Sequence, residues 1–197
     1  MSKIKSALEL ALERTADVEI DKEAVRRDEV VNKGKILVGQ FLNDPEDIDL
    51  EKQWQEIEKK EAAWLREGML DILLSNFTLP RYETDMLRLR TISKGLQALA
   101  GKGSAKKNIG DVMDQCQNLF KQYMENVEQL EESLRLQWEP RMRQKEELLR
   151  QQTGQSFKLS PDQDPEFAKS LSEHLAELDA QYNEVIRKGR MEIRRYI

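Results

Sequence analysis

The chain predicts an all-α fold, an elongated helical bundle dominated by a long antiparallel helical hairpin, and three observations carry that prediction. First, Ile109, Val112, Cys116, Leu119, Tyr123, Val127, Leu130, Leu134 and Trp138 span 29 residues in eight steps. That is about 3.6 residues per step, the spacing of one face of an α-helix. Second, Phe167, Leu171, Leu175, Leu178, Tyr182, Val185, Gly189, Ile193 and Tyr196 repeat the same span and period, after a short polar connection. Third, no stretch alternates apolar and polar residues as a half-buried strand would. The balance of 39% apolar and 35% charged residues suits helices that each bury one stripe and leave the rest in water.

Taken in order, Ile4 to Thr15 place Ile4, Leu8 and Leu12 on one face, which predicts a short helix that needs a surface to lie on. Ile4, Lys5, Ser6, Leu8, Leu10, Arg14 and Thr15 resemble the opening of a group of uncharacterised helical bacterial proteins. The resemblance implies a bacterial origin; it brings no activity, cofactor or site residue.

A second helix is expected over 21–42, with Gly34 and Gly39 inside it. Each glycine lowers helix stability by about 1 kcal/mol relative to alanine. Close helix–helix packing is the expected reason for both, with a hinge or docking groove as the alternative. After the turn Asn43–Asp47, a third helix is expected along Leu50, Trp54, Ile57, Glu61, Trp64 or Leu65, Gly68 and Ile72. Glu61 interrupts that stripe and is expected to snorkel from its edge, a buried carboxylate being the alternative. Pro80 suits the first position of a fourth helix, marked by Tyr82, Met86, Leu89, Ile92, Leu96 and Leu99.

Gly101–Lys107 reads as a flexible basic linker, and Asn108 with Asp111 three residues on resembles a capping box that opens the long helix. Pro140 lies inside that helix and predicts a kink or a break. Thr153-Gly154 ends it. Ser160-Pro161 and Asp164-Pro165 are two start signals in tandem for the last helix. The expected organisation is therefore N-terminal helices over 1–100, a linker over 101–107 and the hairpin over 108–197.

Chemistry is easier to exclude than to assign. Net charge runs −4, 0, 0 and −1 through successive quarters of the chain, so no quarter carries the basic excess of a large nucleic-acid footprint. Gly101-Lys102-Gly103-Ser104 departs from the phosphate-binding loop, because Lys102 is followed by glycine rather than a hydroxyl residue. The single histidine, His174, cannot supply the two Glu-x-x-His pairs of a di-iron bundle. It is expected to flank the last helix, and Cys116 to act as a small buried apolar group. One cysteine fits a reducing compartment and excludes an internal disulfide. No segment has the apolar run of a signal peptide or membrane span, so a cytoplasmic protein without a membrane association is expected.

These readings predict a non-enzymatic interaction or scaffold protein with no cofactor and no metal. Protein partners are expected, and homo-oligomerisation is compatible with the same stripes. The expected partner contacts are Met142, Leu148, Leu149, Phe157 and Phe167, around the thinly apolar turn between the long helices. The Gly34–Gly39 face is the next choice. The alternative is an RNA- or nucleoprotein-associated factor using Lys102, Lys106, Lys107 and the basic end made by Arg187, Lys188, Arg190, Arg194 and Arg195.

Overall fold

A computed structural model describes residues 22–197, so the expected helix at Ile4–Thr15, and the resemblance it carries, lie outside the described residues. Those residues form six α-helices and one 3-10 turn, with no strand among them. They fall into two compact units, one ending at Ile72 and the other running Leu73–Ile197.

The first unit holds α1 (Lys22–Asn43), α2 (Leu50–Gln55) and most of α3 (Lys59–Asn76). Helix α1 buries Val30, Gly34, Val38 and Phe41 at a period near four residues. Gly34 and Gly68 explain how closely α1 and α3 approach. A methyl group on Gly34 would collide with the Leu65 carbonyl, and one on Gly68 with the Val31 carbonyl. Gly39 differs, since a Cβ there would meet nothing within 4 Å. Close packing therefore accounts for Gly34 and not for Gly39.

Two further expectations change in this unit. The third helix is not continuous: α2 ends at Gln55 and α3 starts at Lys59, with neither proline nor glycine at the break. Asp49 caps α2 by accepting a hydrogen bond from the Lys52 N–H (3.1 Å). Glu61 then sits inside rather than at the edge, its side chain only 12% exposed. Arg26 makes that burial tolerable by donating Nε and Nη2 to the two carboxylate oxygens, at 2.5 and 3.1 Å.

The second unit holds α4 (Glu83–Ala100), α5 (Ser104–Thr153) and α6 (Pro165–Tyr196). Pro80 is buried in the segment before α4 rather than heading the helix. There the Asp85 carboxylate accepts the N–H groups of Arg81 (2.7 Å) and Tyr82 (3.0 Å), which holds the first turn. Helix α4 ends in a turn that needs glycine twice, with φ of 68° at Gly101 and 107° at Gly103. Helix α5 accordingly begins at Ser104, four residues before Asn108, and the expected linker shrinks to that turn.

Helices α5 and α6 pair antiparallel. Three contacts follow each other up one helix and down the other: Cys116 with Gly189, Tyr123 with Tyr182, and Trp138 with Phe167. The steps match, seven residues (116 to 123, 189 to 182) and then fifteen (123 to 138, 182 to 167). Gly189 packs against Cys116, whose Sγ would lie 3.5 Å from an added Cβ, an ordinary contact distance, so the site has room for alanine. Pro140 neither breaks α5 nor ends it. Its missing N–H leaves the Leu136 carbonyl without that intrahelical donor, on a stretch where both Leu136 and Pro140 are exposed.

The buried side of α5 is wider than one stripe. Met113 and Phe120 join Ile109, Cys116, Tyr123, Leu134 and Met142 in the core, while Leu119, Val127 and Leu130 are only half-buried. Phe120 packs on Phe77 at 5.6 Å between ring centres. Helix α4 lies against α5 here, so α5 must serve two neighbours at once. Its 18 residues reach about 27 Å, against about 75 Å for the 50 residues of α5. From Gln97 opposite Gly110 to Arg81 opposite Tyr123, α4 and the segment leading into it cover only the first part of α5 on that side.

Candidate interaction site at the turn between the long helices

Beyond Trp138 the connection itself folds back on α5 and is held there by specific polar contacts. Gly154 caps α5 in the left-handed conformation, φ 71°, and returns its N–H to the Arg150 carbonyl (2.9 Å). Extended residues then lead to the 3-10 turn Pro161–Gln163. The Glu146 carboxylate accepts the Leu159 N–H (2.7 Å), and Arg135 donates to Asp162 (2.7 Å). Asp164 starts α6 by accepting the Glu166 N–H (2.9 Å) and also takes a hydrogen bond from Lys145 (2.7 Å). The Lys145 ammonium, then the Glu166 N–H, hold the Asp164 carboxyl below the usual carboxylate range.

Folding back leaves a groove of about 730 Å³ between the end of α5 and the connection. Met142, Phe157, Leu159 and Pro161 give it apolar walls, and Glu139, Arg143, Glu146 and Lys158 bring both signs of charge to it. Arg143 donates to Glu139 (2.9 Å) one turn away. Such a cleft offers contact area and mixed polar anchors.

The five expected partner residues divide. Phe157 is 42% exposed and Leu148 57%, while Leu149 is half-buried. Met142 is 4% exposed and Phe167 1%. Phe167 is taken by the fold, edge-on to Trp138 at 5.7 Å with the Arg135 guanidinium over its ring, so it is a core anchor rather than an open contact. Met142 forms groove wall from a buried position. Leu159 and Pro161 were not among the expected contacts, and the fold-back of the connection brings them into one groove with Met142.

The basic end is occupied locally. Arg187 donates to Glu184 (2.7 and 2.9 Å) and Arg195 to Glu192 (2.9 Å). Arg190 points inward and donates twice to the Phe77 carbonyl (3.1 and 2.5 Å). Lys188 is exposed, as are Arg194, Lys102, Lys106 and Lys107. Cys116 is buried, which pushes its thiol up to about 11. His174 is exposed on α6, with Nδ1 2.7 Å from the Ser170 carbonyl oxygen. Gly101-Lys102-Gly103-Ser104 joins two helices, which is not the strand-to-helix setting of a phosphate loop. The Gly34–Gly39 face is half closed, since Gly34 is covered by α3.

One polar cluster was missed altogether. Tyr123 donates to Asp179 (2.6 Å), and Arg81 donates to both, to the tyrosine oxygen at 3.1 Å and to the carboxylate at 2.6 Å. Burial, followed by the hydrogen bond to Asp179, raises the Tyr123 hydroxyl to about 12. Nothing in the local sequence signals this cluster, because its members come from three separate segments.

Among the described residues no group of three or more His, Cys, Asp or Glu is placed to hold a metal ion, and no helix is long and apolar enough to cross a membrane. No curated protein and no solved structure matches the chain. A family description does match, over residues 51–195, which takes in α3 to α6 and the groove but not the opening segment. The chain belongs to that family, DUF6657, a family of unknown function.

Proposed function

We propose that this protein is a non-enzymatic interaction protein that holds a segment of a protein partner in the groove at the turn between α5 and α6. The observation that carries the reading is Phe157. An aromatic ring 42% exposed on an otherwise polar connection stands beside an apolar wall and is flanked by charges of both signs. Exposed aromatics at the centre of a cleft with a polar rim are where binding energy concentrates. The groove also rests on a pinned scaffold, through Lys145–Asp164, Arg135–Asp162 and Glu146–Leu159, so little order has to be gained on binding. The partner segment that fits has one or two apolar side chains flanked by charge.

Phe157→Ser tests this at an exposed groove residue, and Leu148→Ser, exposed outside the groove lining, is its control. Both variants should melt with the parent, and the full chain carrying Phe157→Ser should lose recovery of the partner that the parent retrieves from its native extract. A photo-crosslinking residue placed at 157 should attach to that partner, and one placed at exposed Lys121 should not. Equal recovery by parent and Phe157→Ser would remove the groove from consideration. If ribonuclease abolishes recovery, or filter binding to mixed RNA falls steeply with salt, the nucleic-acid alternative replaces it.

A further inference from the structure

Helix α4 covers one side of the α5–α6 pair, and the other side carries two shallow grooves of about 490 Å³ each. One is lined by Val112, Leu119 and Val185, the other by Leu130 and Leu178, with Val185 44% exposed. What separates this face from an ordinary wet helix surface is its charge. From 112 to 133, every residue that α5 contributes to the grooves is uncharged: besides the apolar ones they are Gln115, Cys116, Asn126, Gln129 and Ser133. The same helix carries Glu125, Glu128, Glu131 and Glu132 outside the groove linings. A charge-depleted face with apolar residues at helical spacing, in a chain that is 35% charged, is built for contact with other helices.

The few charges that α6 brings to this face identify the occupant. Glu177 lines one groove and Lys188 the other, and their midpoint falls at Tyr182, the residue that meets Tyr123 between the grooves. We infer that this face binds a second copy of the chain, through a two-fold axis that crosses the pair at the level of Tyr123 and Tyr182. That rotation lays α6 antiparallel on the second α6 and α5 on the second α5. It exchanges the two grooves and brings Lys188 of each copy level with Glu177 of the other. Leu119 then faces Asn126 of the second copy and Gln115 faces Leu130, and no charged residue of α5 lies in either groove lining. An isologous contact of this kind makes each complementary pair twice, so one sequence feature does the work of two.

The test is the mass of the full chain in solution, measured by light scattering and by sedimentation across a range of concentrations. The parent should run as two chains. Glu177→Lys and Lys188→Glu, both at exposed positions, should each weaken the dimer about ten-fold by opposing like charges, and the double exchange should restore it. Leu119→Glu should give a monomer of unchanged helicity; if that variant is unfolded, the charge exchange still decides the matter. Phe157→Ser should leave the mass unchanged, which separates this face from the proposed partner groove. A parent that stays monomeric at the highest concentration overturns the inference, and so does a double exchange no tighter than the single ones. A monomeric chain that instead holds a different protein on this face overturns it as well.

Discussion

Replacing Gly68 by alanine isolates the contact between α1 and α3, because the added methyl group has a calculable place to go. It would enter the Val31 carbonyl group, with that carbon 2.9 Å and the Val31 Cα 3.1 Å away. These are backbone atoms, so no rotamer change relieves the clash and the helices must separate. Helix propensity alone would favour alanine by about 1 kcal/mol. Overpacking of a fixed contact costs about 1–3 kcal/mol, and more where backbone must move. The net expectation is a loss of about 2 kcal/mol. Gly39→Ala, in the same helix class and with nothing within 4 Å, should keep the propensity gain and stabilise by about 1 kcal/mol. For a chain of this size each kcal/mol shifts Tm by about 2–4 °C, so the two variants should melt about 6–12 °C apart. Circular dichroism at 222 nm, followed through heating and through urea, reads the difference. If Gly68→Ala and Gly39→Ala melt together, α3 does not touch α1 at Gly68, and the reasoning fails.

Three further outcomes follow from the second unit. Phe120→Ala should lose about 3–5 kcal/mol in urea unfolding, but Leu130→Ala, half-buried, only about 1–2 kcal/mol; equal losses would mean that α5 faces one neighbour rather than two. Tyr123→Phe should cost about 1–3 kcal/mol by leaving Arg81 and Asp179 without the hydroxyl between them. The parent's Tyr123 hydroxyl, raised from about 10 to about 12, favours folding fully below pH 10, and that contribution should fade between pH 10 and 12; a Tyr123→Phe chain should lack this component of alkaline unfolding. Cys116, with its thiol at about 11, should react with a disulfide reagent at pH 8 far more slowly in the native chain than in urea, and equal rates would place it at the surface.

Helix identity was legible in the sequence, because a 3.6-residue stripe is a property of consecutive residues and needs no knowledge of the partner. The starts at Asp164-Pro165 and the stop at Thr153-Gly154 were legible for the same reason, since capping acts within a few residues. The break between Gln55 and Lys59 was not, as neither proline nor glycine marks it. Nor was the outcome at Pro140, where the helix runs on without a break through an exposed stretch. Burial along α5 depended on how many neighbours it has: one stripe predicted Leu119 and Leu130 in the core, and a second neighbour drew in Met113 and Phe120 instead. Charge was the least local quantity. Arg26 with Glu61, and Arg81 with Tyr123 and Asp179, lie 35 to 98 residues apart, so only folding brings them within hydrogen-bond range. The groove beside Phe157 belongs to the same class. Its apolar residues were visible as such in the sequence, but burial of Phe167 and exposure of Phe157 were decided by which of the two rings the fold-back placed against Trp138.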